Sequence, residues 1–130
     1  GHVGERDLAA HNELVDAGKD GTRPAADALR SAADRLERAA FAGWVATPSL
    51  ELAAGRSWFK LGDDARTIKN LERPLAAGAG APQDRMFLAV ARGRSGDLAG
   101  AAKEVEIYLR DRPDDVHARA MLEELRREGR

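Results

Sequence analysis

The chain has 130 residues, of which 43% are hydrophobic and 33% charged, a size and balance that fit one soluble domain. Its formal net charge is −1, so no bulk positive charge attracts a phosphate backbone, and generic nucleic-acid binding is disfavoured. Without cysteine the chain has neither disulfides nor thiolate chemistry, which leaves cytoplasm and periplasm both open, and no apolar run approaches the roughly 18 residues of a membrane span.

The N-terminal third of the sequence predicts two helices. Apolar residues at helical spacing predict the first over about residues 5–17, before a glycine-containing break at 18–21. Pro24 fits the first turn of the second helix, whose stripe of alanine and leucine continues to Ala40. The stretch 41–47 then interrupts the helical pattern, and we expect it to hold an insertion.

The middle of the chain predicts a pair of helices joined by a short turn. Thr47 is placed as an N-cap, with Pro48 at the first helical position. Gly62 ends this third helix, because a left-handed residue after a helix is least costly for glycine. Either Asp63 or Asp64 then caps the fourth helix.

Pro74 lies inside the predicted fourth helix. Proline removes one helical hydrogen bond and clashes with the preceding turn, which costs about 3 kcal/mol in a helix interior. We therefore predict a kink or an early end near Arg73.

The last part of the chain repeats this organisation. A flexible connector at 78–82 precedes a fifth helix, and a Gly-Asp turn at 96–97 joins it to a sixth. The sixth helix stops before Pro113, and either Asp114 or Asp115 caps a seventh. Most side chains of the seventh helix are polar, as expected of a helix that covers the last apolar face. No alternating pattern predicts a strand.

Two of these helix pairs are in register. Gly62 and Gly96 are 34 residues apart, and each closes one amphipathic segment and opens another. The positions around the two glycines correspond as well: Gly55, Trp58, Thr67, Leu71 and Ala79 in 48–81 match Ala89, Arg92, Ala101, Val105 and Pro113 in 82–115. A period of about 34 residues is that of a repeated helix pair.

These positions resemble the degenerate motif of tetratricopeptide-repeat proteins. The chain departs from it at Arg92, where the family prefers an aromatic residue, and at Pro74 and Tyr108, where it prefers alanine. The resemblance implies an all-α, right-handed solenoid of about three antiparallel helix pairs and a C-terminal capping helix, in a single domain 1–130. Its parts would be a divergent first pair, two repeats and the cap: 5–47, 48–81, 82–115 and 116–128.

The resemblance also implies a function, because members of this family usually bind a protein partner along the concave face built by the first helix of each repeat. In this chain that face would carry Ser49, Leu52, Arg56, Phe59, Lys60, Gln83, Met86, Val90, Arg94 and His117. Stacking would align Arg56, Lys60 and Arg94, which suggests a peptide or protein partner with an acidic segment or a C-terminal carboxylate. The alternative is that these cations only complement the C-terminal dipoles of their own helices.

We predict no catalytic residue, metal or cofactor, and further alternatives stay open. His2, His11 and His117 are scattered, and the paired aspartates fall where helix N-termini need caps. Phe41 and Trp44 are expected to be buried beneath the insertion, with an exposed binding or dimer patch as the alternative. The rival to a binding module is a structural or self-associating accessory domain of a larger enzyme or regulator whose chemistry lies outside this chain.

Overall fold

The computed structural model describes residues 23–42 and 47–129, and over these residues it consists of α-helices joined by short turns. In chain order the helices are α1 Arg23–Ala42, α2 Pro48–Lys60, α3 Asp64–Ala76, α4 Pro82–Arg94, α5 Leu98–Asp111 and α6 Val116–Glu128. No strand occurs in the described residues, so the all-α prediction is confirmed there. None of these helices is long and apolar enough to cross a membrane. The helix predicted over 5–17, together with His2, His11 and Trp44, lies outside the described residues.

The ends of α2, α3 and α4 share one backbone motif. Gly62, Gly78 and Gly96 have φ values of +78°, +86° and +91°, in the left-handed region that favours glycine. The residue after each glycine donates its N–H to a carbonyl five residues back, at 2.9 Å in all three cases: Asp63 to Trp58, Ala79 to Pro74, and Asp97 to Arg92. These are Schellman turns, and the turns predicted at Gly62 and Gly96 are confirmed.

Aspartates cap α3, α5 and α6. Each carboxylate accepts a hydrogen bond from the backbone N–H three residues on: Asp63 from Arg66 at 3.0 Å, Asp97 from Gly100 at 2.9 Å, and Asp115 from Ala118 at 3.0 Å. The caps are therefore Asp63 and Asp115, not their neighbours Asp64 and Asp114. Thr47 occupies the N-cap position of α2 but makes no side-chain capping hydrogen bond.

Pro74 does not end its helix. α3 continues to Ala76, so the early end predicted near Arg73 is wrong. Pro74 lies in the last turn, where its ring is fully buried in the core and its carbonyl accepts the hydrogen bond that closes the Schellman turn. Burial of the ring and use of the carbonyl offset the loss of a single N–H donor.

Each helix packs against the next one in the chain, and α2 also contacts α4. Three clusters of buried apolar residues fill these interfaces. The first joins α1 and α2 through Ala33, Leu36, Ala40, Leu50, Ala53, Ala54 and Trp58. The second joins α2, α3 and α4 through Leu52, Leu71, Leu75 and Leu88. The third joins α4, α5 and α6 through Ala89, Ala101, Val105, Ala118, Leu122 and Leu125. The many alanines leave room for close helix contacts.

Phe41 lies at the C-terminal end of α1 and is 42% exposed, so its predicted burial is wrong. Two cations of α3 approach its ring, with the Lys69 Nζ and the Arg73 Cζ each 4.9 Å from the ring centroid. Because the ring is accommodated by cation–π contacts at the surface, it does not need a place in the core.

Candidate partner-binding cleft

Side chains of α2, α4, α5 and α6 enclose a depression of about 380 Å³, here named the central cleft. Its lining residues are Phe59, Gln83, Met86, Phe87, Val90, Tyr108, Asp115, His117, Ala118 and Met121. Five residues of the concave face predicted from the sequence meet here: Phe59, Gln83, Met86, Val90 and His117. The prediction thus joined positions that are up to 58 residues apart in the chain.

Helix α4 supplies the floor of the central cleft. Gln83, Met86, Phe87 and Val90 follow one another at intervals of three, one and three residues, which places them on one face of the helix. Leu88, on the opposite face, and Ala91, on the flank, are buried. This division fixes the rotation of α4, and so it determines which side chains the cleft presents.

Phe59 and Phe87 form a stacked pair within the lining. Their ring centroids are 4.2 Å apart with an interplanar angle of 18°, so the pair connects the end of α2 to the middle of α4. Sequence reasoning did not select Phe87, although its spacing of four residues from Gln83 and three from Val90 puts it on the same helix face. The Arg94 guanidinium lies 5.5 Å from the Phe59 ring centroid.

Leu52 and Ser49 do not join the central cleft. Leu52 is only 7% exposed and packs in the core with Leu71, Leu75 and Leu88, so it cannot offer apolar contact to a partner. Ser49 is exposed in the first turn of α2, away from the lining. α2 contacts both α3 and α4, and this wide interface buries a position that helical spacing alone places on the outer face.

The three predicted cations differ in what they contact. Arg56 donates two hydrogen bonds to Asp84, from Nε at 2.6 Å and from Nη2 at 2.7 Å, and the Asp84 side chain is 2% exposed. Arg94 makes a long ion pair with Asp64, whose Oδ1 lies 3.7 Å from Nη1. Lys60 is exposed in the last turn of α2. Arg56 therefore bridges α2 and α4, although its side chain is 45% exposed. The Arg94 side chain is 54% exposed.

Asp84 is a buried carboxylate held by several donors. Its Oδ2 also accepts the Ala81 N–H at 2.8 Å, at the N-terminus of α4. Burial alone would raise the pKa of Asp84, but the hydrogen bonds from Arg56 and Ala81 outweigh burial and hold the pKa below its ordinary value. Hydrogen bonding to Asp84 raises the pKa of Arg56. The pair is charged at neutral pH and fixes α4 against α2.

The end of the central cleft formed by α5 and α6, away from Phe59, carries a negative charge. The Tyr108 hydroxyl donates to Asp115 Oδ2, while Oδ1 accepts the Ala118 N–H of the α6 cap. The hydrogen bond from Tyr108, followed by that from Ala118, lowers the pKa of Asp115, so this carboxylate is ionised at neutral pH. The same contact raises the pKa of Tyr108. Sequence reasoning noted Tyr108 only as a departure from alanine, because the pairing with Asp115 depends on the turn between α5 and α6.

Nothing in the described residues supplies a metal site: no group of three or more His, Asp or Glu side chains is placed to hold an ion. No family model matches the chain, and comparisons with curated proteins and with solved structures give no match.

Proposed function

We propose that this protein is a tetratricopeptide-like module, a right-handed stack of helix pairs closed by α6, which binds a peptide or protein partner in the central cleft and catalyses no reaction. The observation that carries the proposal is the cleft itself, in which side chains from α2, α4 and α6 converge on an apolar floor. Grooves between helices that combine apolar contacts with a few polar groups are a common mode of peptide recognition.

The repeated turns support the stacked arrangement. The Schellman turns at Gly62 and Gly96 and the caps at Asp63 and Asp97 are each 34 residues apart and have the same hydrogen bonds. The packing of each helix on the next, with α2 also on α4, is the order that a stack of helix pairs requires.

The chemistry of the lining supports binding to a polypeptide. Met86 of α4 and Met121 of α6 both line the cleft, and their flexible thioethers can adapt to partner side chains. Gln83 and His117 are exposed lining residues that can form hydrogen bonds with a backbone. Apolar contacts combined with solvent-accessible polar groups are the usual anatomy of a protein interface.

Site-specific photo-crosslinking tests the proposal. A benzophenone amino acid replaces Gln83, which lines the cleft, and in a matched control it replaces Lys103, which is exposed on α5 outside the cleft. In lysate of the source cells we expect a partner to be crosslinked from position 83 and not from 103. The added substitution Val90→Asp, which places a charge on the apolar floor, should abolish this product while circular dichroism shows an unchanged helix content.

Identical products from both positions would contradict a binding function for the cleft. If the crosslinked partner is a second copy of the chain and sedimentation shows a concentration-dependent mass, the self-associating accessory domain becomes the better account.

A further inference from the structure

Arg94 is a cation near the central cleft with unused hydrogen-bonding capacity. It is the last residue of α4, its side chain is 54% exposed, and it donates no hydrogen bond within the described residues. Asp64 Oδ1, at 3.7 Å, is close enough for attraction but too distant for a hydrogen bond. A guanidinium has five N–H donors, so Arg94 can accept a carboxylate in a bidentate pair.

Arg56 shows the contrast within the same chain. Its Nε and Nη2 are both bonded to Asp84, in the bidentate geometry that Arg94 lacks. The sequence based the acidic-partner hypothesis on Arg56, Lys60 and Arg94 together. Because Arg56 is already paired with Asp84, Arg94 is the better candidate of these two arginines for binding an acidic group.

Arg94 lies next to the aromatic residues of the cleft, so a partner can contact a cation and an apolar surface side by side. Its guanidinium is 5.5 Å from the centroid of the Phe59 ring, which stacks on Phe87. A carboxylate bound to Arg94 would thus lie beside the apolar lining formed by the two rings and Val90. Contact with the aromatic face also restricts the guanidinium, which lowers the entropy lost when it binds an anion.

The end of the cleft formed by α5 and α6 disfavours a carboxylate. Asp115 and Tyr108 line the end formed by α5 and α6, and an ionised Asp115 repels a second carboxylate there. An acidic group of the partner is therefore favoured beside Arg94, near the Phe59 end of the cleft, over the end that Asp115 lines.

We infer that Arg94 selects partners by pairing with an aspartate or glutamate side chain, and that an apolar residue next to this acid packs on Phe59, Phe87 and Val90. The inference rests on the proposed function, since it names the chemistry of the segment that the cleft binds. A side chain suits the site better than a chain-end carboxylate. Capture of a chain end usually relies on converging backbone N–H groups, and Arg94 is a single side-chain donor at a surface.

Selection from a displayed library of random peptides on the wild-type protein tests the inference. We expect the selected sequences to be enriched in an acid adjacent to an aliphatic or aromatic residue. For a synthetic peptide of the selected sequence, Arg94→Glu should weaken binding by about 10-fold or more, since a hydrogen-bonded charge pair is lost and a repulsion appears. Replacing the acid of the peptide by lysine should restore binding to this variant and weaken binding to the wild type.

Arg119→Glu is the matched control, because Arg119 is exposed on α6 and does not line the cleft. It should leave the affinity unchanged. If Arg94→Glu does not fold, an Asp→Asn or Glu→Gln change in the peptide removes the same pair from the wild-type complex, and an unchanged affinity would overturn the inference.

The failure of the inference can be told from the failure of the proposed function. Selected peptides without an acid, or the same peptides selected by wild type and Arg94→Glu, overturn the role of Arg94 and leave the cleft as a binding site. If the wild type enriches no peptide over the starting library, both the inference and the proposed binding of peptide segments fail.

Discussion

The helix pair α2–α3 and the helix pair α4–α5 have the same turns, but they differ in the residue four positions before the turn glycine. Trp58 of the first pair is fully buried, and the Arg66 guanidinium lies 4.5 Å from its ring centroid. Arg92, the corresponding residue 34 positions later, is 17% exposed and has three carboxylates around it: Glu72 at 2.9 Å, Asp97 at 3.6 Å and Glu104 at 3.8 Å. At this position the first pair has an aromatic core residue, and the second pair has a cation in an ion-pair network.

The comparison teaches that backbone geometry at this turn does not require an aromatic residue. The residues at 58 and 92 both supply the carbonyl that accepts the 2.9 Å hydrogen bond of the Schellman turn, whatever their side chains do. What the two pairs share is the left-handed glycine and the capping aspartate after it. The glycine and the aspartate thus specify the turn locally. The side chain at position 58 or 92 can therefore differ, packing in the core in one pair and forming ion pairs in the other.

The first prediction compares how much Trp58 and Arg92 contribute to stability, and it has the largest expected effect. Trp58→Ala should lower the free energy of unfolding by about 3–5 kcal/mol, because it removes a large side chain from a closed core. Arg92→Ala should cost only about 1 kcal/mol, since its ion pairs are partly exposed and Glu72 is a surface residue. Urea unfolding followed by circular dichroism measures both. Equal losses would show that the ion-pair network stabilises its pair as strongly as the aromatic core does.

The second prediction concerns the contact between the two helices of each pair. Gly55 has no room for a side chain, because a Cβ built there would lie 2.3 Å from Leu71 Cδ2. The corresponding residues of the second pair are Ala89 and Val105, a larger residue combined with a smaller one. Gly55→Ala should therefore destabilise by about 1–3 kcal/mol through overpacking, even though alanine favours helix formation.

Leu71→Val is the compensating change, because it reproduces the Ala89 and Val105 combination at the first pair. A double-mutant cycle should show that the two substitutions together cost less than the sum of each alone. Additive losses would mean that the two pairs accommodate their helix contacts in different ways.

The same comparison explains how far the sequence could predict this fold. Glycine after a helix and aspartate at the next cap act within a few residues, so the turns at Gly62 and Gly96 were predicted from the sequence. The early end predicted near Arg73 was wrong because the cost of a missing N–H is local, whereas the burial that offsets it depends on packing between helices.

Sequence reasoning grouped only some of the residues that line the central cleft, because packing between helices decides the rest. Helical spacing groups Met86 with Val90, but it cannot show that Leu52 faces two neighbouring helices and becomes core. The partner of Arg56 is Asp84, which is 28 residues away, and no local pattern connects them. Without that pairing, Arg56 was expected to be available to a partner.

The third prediction tests whether the two Gly-Asp turns are equivalent. Asp63→Ala and Asp97→Ala each remove a carboxylate that accepts one backbone N–H, so each should cost about 1 kcal/mol in the free energy of unfolding. Asp63→Asn and Asp97→Asn are the controls, since asparagine keeps the capping oxygen and should cost much less. If Asp97→Ala were clearly more costly, its ion pair with Arg92 would have to contribute beyond capping.

The fourth prediction concerns the one cap among the three that receives a tyrosine hydroxyl. Asp115 has a pKa below its ordinary value, chiefly because Tyr108 donates to it, so this hydrogen bond stabilises the fold above the unfolded-state pKa of the aspartate. Its contribution is lost as the pH falls through the folded-state pKa. Tyr108→Phe should raise the pKa of Asp115, measured by NMR, and the stability difference from the wild type should shrink on acidification. In an Asp115→Asn background the cap no longer titrates, and Tyr108→Phe should have an effect independent of pH. A wild-type difference that stays constant from neutral to acid pH would instead assign Tyr108 to packing in the wall of the central cleft.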